Sequence, residues 1–207
     1  MLEVDIAAMM LRDGVVRHDP KKRGDAALVE EFLSGGEEEC FERLVDRYKE
    51  KVHRLTASVM GPAFSGEAEG ITQEVFIQVY RKLSTFRQDS RFSTWLYRIA
   101  YNLALERKRK ARFSLPHQGA DVLGSMAAEQ IGPLEAAANR LRNRAVLDGV
   151  ESLDEPYRTA IYLHYWMKRP VCDIAESLGT RPGTVKSYLH RGRKRLARIL
   201  EKERDDG

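Results

Sequence analysis

The apolar residues Phe41, Leu44, Val45, Tyr48, Val52, Leu55 and Val59 recur at steps of three and four. Only an α-helix gathers that spacing onto one stripe, because it turns every 3.6 residues while a strand alternates every two. So long a stripe must be covered, and the sequence supplies covering helices. Ile71, Val75, Phe76, Val79, Tyr80 and Leu83 predict one over about Glu67 to Leu83. Trp95, Leu96, Ile99 and Leu103 predict another from Thr94 to about Arg112. Ala26, Leu28, Val29, Phe32 and Leu33 predict a shorter one that ends at Ser34-Gly35-Gly36. Gly61-Pro62 closes the long helix. Strand alternation persists nowhere, so the expected class is all-α.

The expected architecture is two small helical domains joined by a flexible linker. Residues 1–24 read as a flexible leader, with Gly14, Pro20 and Lys21-Lys22-Arg23-Gly24 interrupting any helix beyond a short one at Val4 to Leu11. Residues 25–112 form the first domain. Residues 113–138 carry Pro116, Gly119, Gly124, Gly132 and Pro133 without sustained periodicity and read as the linker. Residues 139–204 form the second domain, in which Leu147, Val150, Leu153, Tyr157, Ile161 and Tyr165 predict two supporting helices.

Composition excludes several classes of function. Charged residues make up 32% of the chain, and no apolar run approaches the ~18 residues of a spanning helix. Glu3 and Asp5 stand where a signal peptide carries Lys or Arg, so a cytoplasmic protein without membrane insertion is expected. Cys40 and Cys172 make no disulfide framework. They read as small apolar residues in reduced surroundings, with a redox pair as the sharper alternative. No HExxH spacing points to a metal, and no Gly-rich phosphate loop or GxSxG turn points to a cofactor or a catalytic residue. Charge is unevenly spread. Residues 25–74 hold 12 acids against 5 bases, residues 81–112 hold 10 bases against 2 acids, and residues 139–207 hold 15 bases against 10 acids. Two separated basic blocks suit two contacts along one DNA duplex, although solvated helix faces also produce charge runs.

The segment Val171 to Leu200 is the most specific. Val171, Ile174, Ala175 and Leu178 make a short apolar face, and Gly179 permits a turn. Pro182 suits the first turn of a following helix, with Thr180 as its candidate cap. Val185, Leu189, Leu196 and Ile199 give that helix a buried side. Its other side carries Lys186, Ser187, His190, Arg191, Lys194 and Arg195. These are the parts of a helix-turn-helix whose second helix enters the major groove. The bland alternative is a helical hairpin with a solvated basic face.

Three stretches together resemble one family. Ala68-Glu69-Gly70-Ile71-Thr72-Gln73-Glu74-Val75-Phe76, then Phe92-Ser93-Thr94-Trp95-Leu96-Tyr97-Arg98-Ile99-Ala100 with Asn102, then Gly183-Thr184-Val185-Lys186-Ser187 with Arg191, resemble the extracytoplasmic-function (ECF, group IV) sigma factors of the sigma-70 family. The resemblance runs from about Asp25 to Leu200. It implies a non-enzymatic subunit that binds core RNA polymerase through the beta-prime clamp and beta flap and directs it to promoter DNA. The first domain would read and melt the −10 element and the second would read the −35 element. A stress or envelope-signal regulon and an anti-sigma factor partner are implied in the same way.

Carried over by position, Glu69, Thr72, Gln73 and Glu74 fall on the polymerase-docking helix; a capped, solvated face is the plainer reading. Phe86, Gln88, Asp89 and Asn102 fall where a flipped −10 base is held. Stacking there is worth roughly 1–3 kcal/mol per base, against a few kcal/mol for unstacking it. For Phe86, packing in the core is the competing role, and Trp95 reads as core more than as DNA-facing. Arg98, Arg107 and Arg109, with Lys108 and Lys110 beside them, are candidate phosphate contacts. Lys186, Ser187, His190 and Arg191 fall on the −35 reading helix, with Arg193 and Arg195 as phosphate binders. Gly70 departs from the family, which usually has Asp there. A free-standing dimeric repressor with a C-terminal helix-turn-helix is the main alternative function.

Overall fold

The computed structural model describes residues 24–35, 38–114 and 146–205. The expected leader up to residue 23, its short helix, and residues 115–145 lie outside the described residues. The helices are α1 Asp25–Leu33, α2 Glu38–Met60, α3 Ala68–Lys82 and α4 Phe92–Ser114, with 3-10 turns at Pro62–Glu67 and Leu83–Thr85. Then come α5 over residues 146–151, α6 Tyr157–Ile161, a π-helical turn Tyr162–Trp166, α7 Val171–Ser177 and α8 Pro182–Asp205. No strand occurs among the described residues. The fold is all-α, as the periodicity predicts.

In the first half, α2, α3 and α4 pack on one another and α1 lies against α2. The stripe on α2 is buried throughout: Leu44, Val45, Val52, Leu55 and Val59 are at most 1% exposed. Ile71, Val75, Phe76 and Val79 of α3 and Leu96 of α4 meet it. Each large apolar side chain so buried contributes about 1.5–3 kcal/mol. Exposed pairs one helical turn apart, such as Arg43–Glu39 and Arg54–Glu50, add about 0.3–0.5 kcal/mol each, so the core decides the fold. Asp25 ties α1 to α2 by accepting from Arg47 Nη1 and from the Tyr48 hydroxyl at 2.5 Å.

In the second half, Val150, Leu153, Ile161, Leu163, Ile174, Val185 and Leu189 form the core. Tyr165, expected on the apolar side, is 39% exposed. The π turn explains this. Its wider repeat, seen in Met167 N donating to Tyr162 O, slips the helical phase, so Leu163 faces inward and Tyr165 outward. Glycine lets α8 approach closely: a Cβ at Gly192 would lie 2.7 Å from Ile161 Cδ1.

The two halves are packed together, with α7 across α4 and α6 against α2. Arg158, only 6% exposed, reaches from α6 into the C-terminal end of α2. Its Nε donates to Ser58 O at 2.5 Å, and its Nη1 donates to Glu151 O and Leu153 O at 2.7 and 2.8 Å. Gly61 makes room for it. The glycine has φ +80°, and a Cβ there would sit 2.6 Å from Arg158 Nη2. Weaker links flank this one: Tyr101 OH to Glu155 Oε1 at 3.2 Å, Ser177 Oγ to Thr94 O at 3.4 Å, and Arg91 to Asp173 at 3.6 Å. Beside them lies a cleft of about 430 Å3, lined on one side by Arg47, Lys51 and Tyr97 and on the other by Tyr162, Trp166 and Arg169.

Candidate nucleic-acid interface

The loop after α3 is built on aromatic packing. Phe86 is 8% exposed, and its ring lies 5.1 Å from Trp95 and 5.9 Å from Phe92 between centroids. Phe92 continues to Tyr48 at 5.7 Å. Phe86 is therefore the floor of this loop, with half-buried Trp95 beside it. Gln88 and Asp89 are exposed above, and Gln88 adopts a left-handed φ of +59°. Burial pushes the Tyr97 phenol up to about 12 against the pull of nearby Arg169, so this side of the cluster stays neutral.

On α4, Arg98, Asn102 and Arg109 are exposed, and their steps of four and seven place them on one helix face. Arg107, grouped with them by sequence, sits on the opposite side and pairs with Glu74 Oε2 of α3 at 2.5 Å. Lys108 Nζ instead donates to Val59 O at 2.5 Å, at the end of α2. The basic run thus splits three ways, because successive residues of a helix point about 100° apart.

On α3, Glu69 is exposed and Gln73 half-buried on the same turn as Glu74. Thr72 does not share their surface. It is 3% exposed, donates to Ala68 O at 2.6 Å, and meets the Thr56 hydroxyl at 3.2 Å. Its side chain fastens α3 to α2, and the expectation of Thr72 as a surface contact is corrected.

The helix-turn-helix is held by its turn. Gly179 at φ +62° follows α7, Gly179 N donates to Glu176 O at 3.2 Å, and Thr180 N donates to Ala175 O at 2.9 Å. This pair of bonds is the Schellman arrangement that ends a helix at a left-handed glycine. Val185 and Leu189 anchor α8 inward, at 0% and 6% exposure. Lys186, Ser187, His190 and Arg191 are exposed on the outer side. Arg193 donates to the Tyr165 hydroxyl at 3.3 Å. Arg195 is turned away from that face. It donates to Asp154 Oδ2 at 2.6 Å, and its guanidinium lies 4.5 Å from the Tyr157 ring centroid. Sequence reasoning missed Arg198, which is exposed and continues the four-residue steps Lys186, His190 and Lys194. Those steps were the signal that marks it.

Profiles of known families match both halves: "Sigma-70 region 2" over residues 44–114 and "Sigma-70, region 4" over residues 143–196. The ECF RNA polymerase sigma factor SigW of Bacillus subtilis is 34% identical over 172 residues, 80% of this chain and 91% of that protein. The chain belongs to the ECF RNA polymerase sigma factors. The sigma-E factor of Escherichia coli is also 34% identical, over 83% of this chain and 92% of its own length. Two solved structures share the fold at 22% identity. One chain, in the structure of CnrH with the cytosolic domain of CnrY, has a TM-score of 0.62 and covers 86% of this sigma factor and 97% of its own length. Another, from the complex of sigma factor RpoE with anti-sigma factor NepR of Bartonella quintana, has a TM-score of 0.58 and covers 78% and 96%. The sigma factor therefore directs transcription initiation by RNA polymerase. No group of His, Cys, Asp and Glu among its described residues is placed to hold a metal ion. No helix among them is long and apolar enough to cross a membrane.

Proposed function

We propose that this sigma factor divides promoter reading between its two exposed basic faces. Arg98, Asn102 and Arg109 of α4, with Gln88 and Asp89 of the adjoining loop, take the −10 strand over the Phe86–Trp95 floor. Lys186, Ser187, His190 and Arg191 of α8 read the −35 duplex, with Arg193 and Arg198 on phosphates. Glu69 and Gln73 dock on core polymerase, where an acidic, polar face complements a basic partner. The observation that carries this reading is the Gly179 turn, which presents the four α8 side chains together on the outside while Val185 and Leu189 lock the helix inward.

The protein acts in the cytoplasm and has no catalytic activity of its own. Its regulon answers a stress or an envelope signal, and a partner of the anti-sigma class holds it off. The RpoE–NepR complex supports that last point by likeness of fold.

In-vitro transcription with bacterial core polymerase and a pool of host promoter fragments tests the reading. Defined transcripts are expected only when the protein is added. Arg191→Ala is expected to weaken promoter use by about 1–3 kcal/mol and to relax selection at one −35 base. An Arg191→Ala protein with unaltered yield and unaltered template preference sinks the α8 assignment.

A further inference from the structure

The π turn puts Tyr165 where an ordinary helix would not. Four residues after buried Ile161, Tyr165 would share its inward side in a regular α-helix; the wider turn carries it outward to 39% exposure. The turn is tied down at its end. Met167 N donates to Tyr162 O at 3.2 Å, and Arg169 N donates to Leu163 O at 3.0 Å. Lys168, between them, takes a left-handed φ of +52°, a costly conformation for a residue with a Cβ. Strain of this kind persists only where the surroundings fix it, and it clusters at working sites. His164 supports the exposed ring: it packs edge-on to Tyr165 at 4.9 Å, and its Nδ1 lies 3.1 Å from Arg169 O.

We infer that Tyr165 is a positioning residue for promoter binding, whose hydroxyl holds Arg193 at the edge of the α8 reading face for a phosphate of the −35 duplex. The inference rests on the two-face reading above and deepens it. Arg193 is exposed and donates from Nη1 to the Tyr165 hydroxyl at 3.3 Å, and no acid among the described residues pairs with it. Arg195, two residues on, is instead neutralised by Asp154. A phenol fixes a guanidinium without cancelling its charge. Arg193 lies three residues after His190 and seven after Lys186, so all three run along one side of α8. A guanidinium carries five N–H donors, and one bond to the hydroxyl leaves the rest for a phosphate. Holding a long side chain in place before DNA arrives reduces the entropy lost when the contact forms. Phosphate contacts set register and carry no sequence information. Tyr165 therefore serves affinity and the placement of Lys186 and His190, not the choice of base.

The test uses the full chain bound to core polymerase, with a promoter fragment recovered by the transcription experiment and occupancy followed across salt concentrations. Arg193→Ala is expected to weaken occupancy and to lower the salt slope by about one. Tyr165→Phe keeps the ring and loses the hydroxyl. It is expected to raise the concentration for half-occupancy by about five-fold in the wild-type background, and by less than about two-fold in the Arg193→Ala background. Template preference and the thermal unfolding midpoint are expected to stay at their wild-type values. A tyrosine that merely supports the fold would lower the midpoint and lose equally in both backgrounds. With Arg191→Ala weakening binding, unchanged occupancy in Tyr165→Phe or in Arg193→Ala, or an equal Tyr165→Phe loss with and without Arg193, overturns the proposal alone. Unchanged occupancy in all three single variants overturns the two-face reading and the proposal together.

Discussion

Gly70 shows how much one side chain settles at the residue scale. It lies in the first turn of α3, and a Cβ there would meet nothing within 4 Å. Gly70→Asp therefore adds no clash, removes a weak helix former and places a negative charge near the positive end of the helix dipole. A gain of about 0.5–1 kcal/mol in unfolding free energy is expected from denaturant titration. Thr72 is the opposite case, a polar residue turned inward. Thr72→Val removes the bond to Ala68 O and is expected to cost about 1 kcal/mol, with affinity for core polymerase unchanged. Gln73→Ala, one residue on, is expected to weaken polymerase binding and leave stability nearly alone. Equilibrium unfolding and polymerase co-elution, run on the same two variants, separate these outcomes.

Among elements, α8 shows two effects opposed. Gly192→Ala raises helix propensity by about 1 kcal/mol but drives a methyl into Ile161, which is 2% exposed. Overpacking a closed core costs about 1–3 kcal/mol, so a net loss of roughly 1 kcal/mol is expected in thermal unfolding. The helices themselves were largely legible in the sequence. The stripe from Phe41 to Val59 and those beneath α3 and α4 announce themselves because core packing imposes a period on apolar residues. What lay hidden has no period. The direction of each base in Arg107-Lys108-Arg109 depends on which neighbour its turn of α4 faces. The π turn at Tyr162–Trp166 shifts phase within a stretch that reads as ordinary helix, so Tyr165 passed for core. Of the site, the α8 face was legible from spacing and turn chemistry. The inward turn of Thr72 was not, since its neighbours Glu69 and Gln73 share its polarity.

For the whole molecule, the junction between halves makes stability depend on pH. Burial raises the Glu155 carboxyl above its ordinary 4.5, against the opposing pull of Lys108, the Tyr101 hydroxyl and Arg158. Glu151 is raised as well, by burial and then by Asp148. A raised carboxyl binds its proton more tightly in the folded chain than in the unfolded one. Its contribution is therefore present in full below about 4.5 and is lost as pH rises through the folded value. Unfolding free energy, followed by urea titration at successive pH values, is expected to fall across that window and level off above it. Glu155→Gln, which still accepts from Tyr101, is expected to flatten the decline. The contact across residues as distant as Ser58 and Arg158 could not be read from sequence, since a guanidinium reaching three carbonyl oxygens leaves no pattern in the chain.

The cleft has an optical consequence. The chain has two tryptophans, Trp95 and Trp166, and the fold gives one to each half. Trp95 sits half-buried beside Phe86, while Trp166 lines the cleft and stacks on Tyr162. The protein thus carries two intrinsic lamps, one in each half. Trp166 is already 39% exposed, so its emission is expected toward the red, while a base stacked over the Phe86 floor is expected to dim Trp95. Replacing either ring by Phe isolates the other signal, so an event in either half becomes readable in a stopped-flow cuvette without any label.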